Sequence, residues 1–245
     1  MIYLLLAIAA TTIGTLVGVG GGFIIRPLLN LLDVSKGLAS FTSSITVFSM
    51  AVTNLILYKK QGNKLQLNNI VYMGIGGIIG GLVGGSLMAY VPEQIINSLY
   101  LAAILVMLGS VIAREHMDLK PVTNPAVKVI LGACCGMLSS FFGIGGGPFL
   151  MTVLLVFLAL DPKEAAIQSI LITLLTTSSS MVRYTISGYM DFSLAIYCIP
   201  GGILGGFLGR AVTKRVSSKT VRAMFYIVLV AIMAVQIYTV FTGGK

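Results

Sequence analysis

The sequence predicts an all-α membrane protein made of two inverted repeats, each with a glycine-broken, hairpin-like element and three spanning helices. Three observations carry that prediction. The chain of 245 residues is 57% hydrophobic and only 9% charged, where a soluble domain carries roughly 25% charged residues. Its apolar runs have the length of bilayer crossings, and its two halves repeat the same glycine motifs at one spacing. So little polar surface cannot cover a water-facing globule, which excludes a cytosolic enzyme and a disordered tail. The net charge of +9 bears on membrane orientation before nucleic acid, because the Lys and Arg residues stand singly or in short groups between apolar runs. No nucleic-acid partner is expected.

A spanning helix needs about 20 apolar residues. Six segments qualify: residues 36–58, 67–90, 94–113, 164–184, 192–212 and 220–240. Polar residues punctuate them, among them Lys59-Lys60, Pro92-Glu93, Asp161-Pro162-Lys163 and Lys214-Arg215. Tyr58, Tyr90, Tyr100, Tyr184, Tyr189 and Tyr238 lie near these ends, where an amphipathic ring suits the headgroup region. Cys134, Cys135 and Cys198 sit in apolar stretches without metal-ligand spacing and are read as buried thiols. The start has no basic region and no small-residue cleavage site, so it reads as a retained segment.

Two further regions are interrupted. Residues 1–17 are apolar, Gly18-Val19-Gly20-Gly21-Gly22 intervenes, and the apolar run resumes over 23–32. Residues 126–142 are apolar, Gly143-Ile144-Gly145-Gly146-Gly147 intervenes, and the run resumes over 148–160. At 1.5 Å per residue each region is roughly 45–50 Å of helix, too long for one straight crossing and too short for two.

The halves, 1–125 and 126–245, are related at a spacing of 125 residues. The two GxGGG breaks match, and Gly76-Gly77-Ile78-Ile79-Gly80-Gly81-Leu82-Val83-Gly84 matches Gly201-Gly202-Ile203-Leu204-Gly205-Gly206-Phe207-Leu208-Gly209. The chain therefore reads as a duplicated four-element unit forming one transmembrane domain. If each broken region crossed once, the 16 cations would split 8 to 8 across the membrane, against the positive-inside rule. If each instead enters and leaves on one face, 12 share a side and Arg26, Lys36, Arg183 and Lys245 take the other. Repeat-equivalent turns also exchange their charge: Lys59–Lys64 is basic where its counterpart is not, and Lys214–Lys219 reverses the relation. Inverted repeats in the inner (plasma) membrane, multi-pass, with both termini outside, follow.

Non-helical backbone at membrane depth must line protein or a water-filled cavity. The helix after each break presents unpaired N–H groups and a positive dipole end, which suits an anion. Two facing breaks near the midplane would occupy the position of the substrate site in inverted-repeat transporters. The glycines also have a plain packing role, the stronger reading for the glycines of the two continuous helices. Neither break matches a dinucleotide fingerprint or a phosphate-binding loop.

Arg26 is the only charge in the first broken region. It either grips two oxygens of an oxyanion or snorkels to the outer headgroups. Hydroxyls follow each break, with Ser43 and Ser169 126 residues apart; they either donate to an anion or tie helices together. Asn54 is read in the same two ways. All seven Asp and Glu residues stand near span ends, and the sole histidine, His116, lies in a basic loop. No cofactor motif, catalytic constellation or metal-ligand cluster is present.

The glycine breaks at Gly20–Gly22 and Gly145–Gly147, the Ser/Thr-bearing helix after each, the short loops ending in Gly62 or Gly188, and the paired GGxxGG helices resemble the sulfite exporter TauE/SafE family of membrane transporters. That resemblance implies transport of sulfur-containing anions such as sulfite, thiosulfate or organosulfonates, with the breaks as substrate loops. Pro27 follows Arg26 in one half and Pro148 follows the break directly in the other, so the half-sites are not equivalent. The expected substrate site comprises Gly20, Gly21, Gly22, Arg26, Ser43, Gly145, Gly146, Gly147 and Ser169. Its partners are a small anion and the lipid bilayer, with oligomeric state, a homodimer included, left open. An anion channel with the same site, or a transporter of another small anion, is the alternative.

Overall fold

The computed structural model describes residues 1–61, 67–116 and 120–241, and among them it is helical without strands. Gly62, Lys64, Asp118 and Lys245, and the side chains of Leu67, Glu115 and His116, lie outside the described residues. In chain order the helices are α1 (Ile2–Val17), α2 (Gly22–Leu31), α3 (Lys36–Lys60), α4 (Leu67–Tyr90), α5 (Glu93–His116), α6 (Pro125–Phe141), α7 (Gly147–Val156), α8 (Pro162–Ile186), α9 (Phe192–Thr213) and α10 (Ser218–Phe241).

Six of these, α3, α4, α5, α8, α9 and α10, are long and apolar enough to cross a membrane. They coincide with the six segments read from the sequence. Their boundaries have local causes. Asn124, Asp161 and Asp191 each accept a hydrogen bond from the backbone N–H two residues on, at 2.9, 2.9 and 2.7 Å, and proline occupies the first turn of α6 and α8. The second broken region is shorter than its hydropathy suggested. α7 stops at Val156, because the chain turns through Ala159 in the left-handed region (φ 51°) just before the Asp161-Pro162 helix start.

The duplicated glycine helices are packing surfaces. A β-carbon on Gly76, Gly80 or Gly84 of α4 would strike the carbonyl of Val129, Ala133 or Met137 on α6. β-Carbons on Gly201, Gly205 and Gly209 of α9 would strike the side chains of Ala7, Thr11 and Thr15 of α1, with the carbonyls of Leu4, Ile8 and Thr12 just behind. Small residues every fourth position let the two backbones touch. Each repeat thus lends its glycine helix to the first helix of the other.

These registers also fix directions. Residue numbers rise together along α4 and α6, and along α9 and α1. Gly202 and Gly206 of α9 face Thr46 and Met50 of α3, while Gly77 and Gly81 of α4 face Thr176 and Ser179 of α8, so these pairs are parallel too. α3 and α8 are opposed: Gly37 touches Tyr189, whereas Asn54 and Tyr58 lie with Ile167 and Ile170. α3 and α8 form the buried centre, and α5 and α10 the periphery.

Two expectations are corrected. Tyr100 and Tyr184 are not headgroup residues; they are 1% and 0% exposed, because their hydroxyls donate to the carbonyls of Phe23 and Ser140. Cys135 and Cys198 are buried free thiols as expected, but Cys134 is exposed, on the outer face of α6.

Candidate functional site

Residues 18–22 and 143–147 are buried throughout. Gly18, Gly20, Gly143, Gly145 and Gly146 have φ between 65° and 104°, a region that costs other L-residues roughly 1–2 kcal/mol. The two breaks touch. A β-carbon on Gly22 would strike the Ile144 carbonyl, and one on Gly147 the Val19 carbonyl. This pair of contacts is reciprocal at the 125-residue spacing. Val47 of α3 sits beside both, 3.2 Å from the β-carbon position of Gly20 and 3.3 Å from that of Gly145.

Neither α2 nor α7 has a side-chain cap. Among the described residues the amides of Gly21, Gly22 and Phe23, and of Gly145, Gly146 and Gly147, donate to no protein acceptor. Aromatic rings join the breaks from behind: Phe23 packs on Tyr100 at 5.8 Å between centroids, Tyr100 on Phe142 at 5.1 Å, and Phe142 on Phe149 at 5.8 Å.

Hydroxyls surround the contact, and they divide into two kinds. Ser169 donates to the Gly18 carbonyl, so α8 of the second half holds the first break in shape. Ser43 lies 2.6 Å from the β-carbon position of Gly22, yet its hydroxyl has no protein partner among the described residues. Ser40 and Thr173 are likewise buried and unpartnered beside Gly143 and Gly146. Asn54 takes the helix-tying role, donating to Thr15 Oγ1 at 3.3 Å, and the counterpart pair in the second half is Ser180 with Ser140.

Arg26 lies one turn beyond the first break and is 1% exposed, so it does not snorkel. Its Nη1 donates to Asn97 Oδ1 at 3.1 Å, and its Nη2 lies 3.6 Å from Glu93 Oε1. Nε and Nη2, the edge of the guanidinium that binds two oxygens side-on, have no hydrogen-bond acceptor among the described residues. A fully buried cation whose two-donor edge makes no hydrogen bond and only one long ion pair is suited to receive an oxyanion. Glu93, read from the sequence as span punctuation, is thereby part of the Arg26 environment. No sequence signal links two residues on different helices at such separation.

Six long apolar helices around two buried, touching breaks define a multi-pass membrane protein with an internal polar site. The profile of the family described as sulfite exporter TauE/SafE matches residues 3–236, and the chain belongs to that family of membrane transporters. The chain is similar to the probable membrane transporter protein YunE of Bacillus subtilis (27% identity, 97% of each chain). It is also similar to YdhB of the same organism (23%, covering 93% and 95%). A probable membrane transporter protein of Haemophilus influenzae is 30% identical over 89% of this chain and 86% of its own.

Proposed function

We propose that the protein moves small sulfur-containing oxyanions, sulfite, thiosulfate or an organosulfonate, by alternating access at the paired breaks. The observation that carries this reading is Arg26. Burying a cation is costly unless it is matched, and here the edge suited to a tetrahedral or trigonal oxyanion makes no hydrogen bond among the described residues and meets only Glu93 Oε1, 3.6 Å from Nη2. Gly21 and Gly22 supply amides one turn before it, Ser43 an unpartnered hydroxyl, and Gly145, Gly146 and Gly147 amides from the facing break, while the Gly20 amide is held by the Gly14 carbonyl at 3.2 Å and Gly20 serves by shaping the turn. Ser169 serves by fixing Gly18.

The inverted arrangement is supported by helix directions. α1 runs with α9 and α3, α6 runs with α4 and α8, and α3 opposes α8, so the equivalent helices α1 and α6 point oppositely. Rocking of one repeat against the other would move the break contact without breaking either helix set. With the basic ends of α3, α8 and α9 inside, both termini face outward from the inner membrane.

Purified protein in liposomes, offered sulfite, thiosulfate, sulfate and methanesulfonate in competition, tests the reading. Saturable uptake stimulated by substrate on the opposite side is expected; flux without that stimulation is the behaviour of a channel. Arg26→Gln should abolish uptake and Arg26→Lys restore little of it, since an ammonium lacks the two-donor edge. Wild-type uptake by Arg26→Gln refutes the assignment.

A further inference from the structure

Resting on that reading, we propose that Glu93 is a proton acceptor for the anion site, so that each monovalent oxyanion bound at Arg26 is accompanied by one proton on the Glu93 carboxylate. The charge of the buried guanidinium is matched by one carboxylate, Glu93, through a contact of 3.6 Å. Glu93 Oε1 itself receives no hydrogen bond among the described residues. The pair is therefore held by charge alone, on the edge of the guanidinium that an oxyanion needs.

Glu93 is also the point where this buried cation meets a cavity. A cavity of about 690 Å³ is lined by Glu93 and Asn97, the two partners of Arg26, together with Asn30, Asp33, Ser35 and Gln94. Arg26 is 1% exposed while Glu93 is 36% exposed, so the carboxylate stands between the cavity and the guanidinium. No Lys or Arg lines this cavity among the described residues.

The charged and titratable neighbours can be named element by element. α2 contributes Arg26, and the turn after it Asp33. α3 contributes Lys36, whose ammonium is fixed on the carbonyls of Met88 and Val91 at 3.3 and 2.8 Å. α5 contributes Tyr100, donating to the Phe23 carbonyl, and α8 contributes Tyr184, donating to the Ser140 carbonyl. α10 presents only Thr239 and Val240 to the cavity. Of the two acids, Asp33 and Glu93, only Glu93 pairs with Arg26.

Charge counting then gives the stoichiometry. Arg26 with ionised Glu93 is neutral. A monoanion added to that pair leaves a net negative charge in a desolvated site, which is opposed by direct repulsion between carboxylate and anion. A proton taken from cavity water onto Glu93 removes the repulsion and frees the guanidinium edge, and the site is neutral again. By linkage, binding that takes up a proton strengthens as pH falls. When the anion leaves, Arg26 recovers Glu93 as its partner and the proton is released.

The test uses full-length protein in nanodiscs and methanesulfonate, whose charge does not change between pH 5 and 9, so that any pH dependence belongs to the protein. The expected Kd rises about tenfold per pH unit on the alkaline limb. Calorimetry in two buffers of different ionisation enthalpy should report one proton taken up per anion. Glu93→Gln should bind with a flat pH profile and no proton uptake, while Asp33→Asn should keep the wild-type slope. A pH-independent wild-type Kd, or a slope that survives in Glu93→Gln, overturns the coupling and leaves the anion site standing. If Glu93→Gln does not fold, the two-buffer measurement on wild type decides alone, zero protons overturning the proposal. Absence of methanesulfonate, thiosulfate and sulfite binding at every pH would instead refute the substrate reading.

Discussion

Gly22→Ala separates steric contact from backbone strain, because Gly22 is the first residue of α2 and has no left-handed φ. Alanine is a better helix former there, so an isolated helix would gain from the change. In the folded protein the new β-carbon would lie 2.8 Å from the Ile144 carbonyl carbon and 2.6 Å from Ser43 Oγ. Carbon atoms pack at about 3.5–4.0 Å, so the two breaks must part by about 1 Å. Overpacking of that kind costs about 1–3 kcal/mol, and each kcal/mol lowers Tm by about 2–4 °C in a chain of this length. Gly147→Ala meets the Val19 carbonyl reciprocally and should cost a similar amount. Once the breaks have parted for one methyl, the second finds room, so the double substitution should cost clearly less than the sum. Gly20→Ala is the control for strain: its φ of 65° is unfavourable for alanine, but the atom it meets is a Val47 methyl at 3.2 Å that can yield. Thermal unfolding in detergent of the single and double variants, with uptake in liposomes, reads these effects. Wild-type Tm for Gly22→Ala, or strict additivity with Gly147→Ala, would refute the contact between the breaks.

Ser169→Ala should lower stability by about 1 kcal/mol through loss of the bond to Gly18, whereas Ser43→Ala should leave Tm unchanged and weaken anion binding; equal Tm effects in the two would contradict their different hydrogen bonding. The Ser193 amide, and then its hydroxyl, hold the Asp191 carboxyl below the usual carboxylate range. A carboxylate lowered by folding stabilises above its unfolded value and loses that contribution as pH falls through the folded one. Protection of the Ser193 amide from hydrogen exchange should therefore be constant down to about pH 4 and decline below it, and a decline by pH 6 would contradict the cap. Lys60→Cys and Lys214→Cys should react with a membrane-impermeant thiol reagent from the same side, and Tyr189→Cys from the other. Labelling of the two lysine positions from opposite sides would refute the inverted topology.

The spans and breaks were legible because each has a local cause. Twenty apolar residues between charged turns can do little but span, and GxGGG cannot continue a helix through Gly18 and Gly20 at positive φ. The candidate site is legible in the sequence only as a list of residues. Ser169 was expected on the strength of its repeat position beside the second break, yet it bonds Gly18 of the first, 151 residues away, because each repeat packs against the other's elements. Asn97, 71 residues from Arg26, carried no signal, since an asparagine on an apolar helix is ordinary. Tyr100 and Tyr184 misled because proximity to a span end says nothing about which face the ring takes. The glycine helices were correctly read as packing devices, but their partners, α6 and α1 of the opposite repeat, emerged only from the structure.

The two halves share a scaffold without sharing its chemistry. At the repeat spacing Arg26 corresponds to Met151, Glu93 to Ser218 and Asn97 to Arg222. Along the central helices, where α3 and α8 start 126 residues apart, Val47, Met50 and Ala51 of α3 correspond to Thr173, Thr176 and Thr177 of α8. The fixed charge therefore comes from the first repeat, whose α3 also carries the unpartnered hydroxyls of Ser40, Thr42, Ser43 and Ser44, while the second repeat supplies hydroxyls alone. Thr176 and Thr177 are already bonded to the α8 backbone, leaving Thr173 as the unpartnered member of those three threonines. An anion held between the breaks would face one guanidinium on one wall and neutral donors on the other. On the proposed protonation of Glu93, one fixed charge balances one negative charge, that of an organosulfonate or hydrogensulfite, and the second charge of a dianion would rest on neutral donors. Under the alternating access proposed above, that inequality would give the ligand a strong contact to one half and a weak contact to the other. The weak half can then move away first.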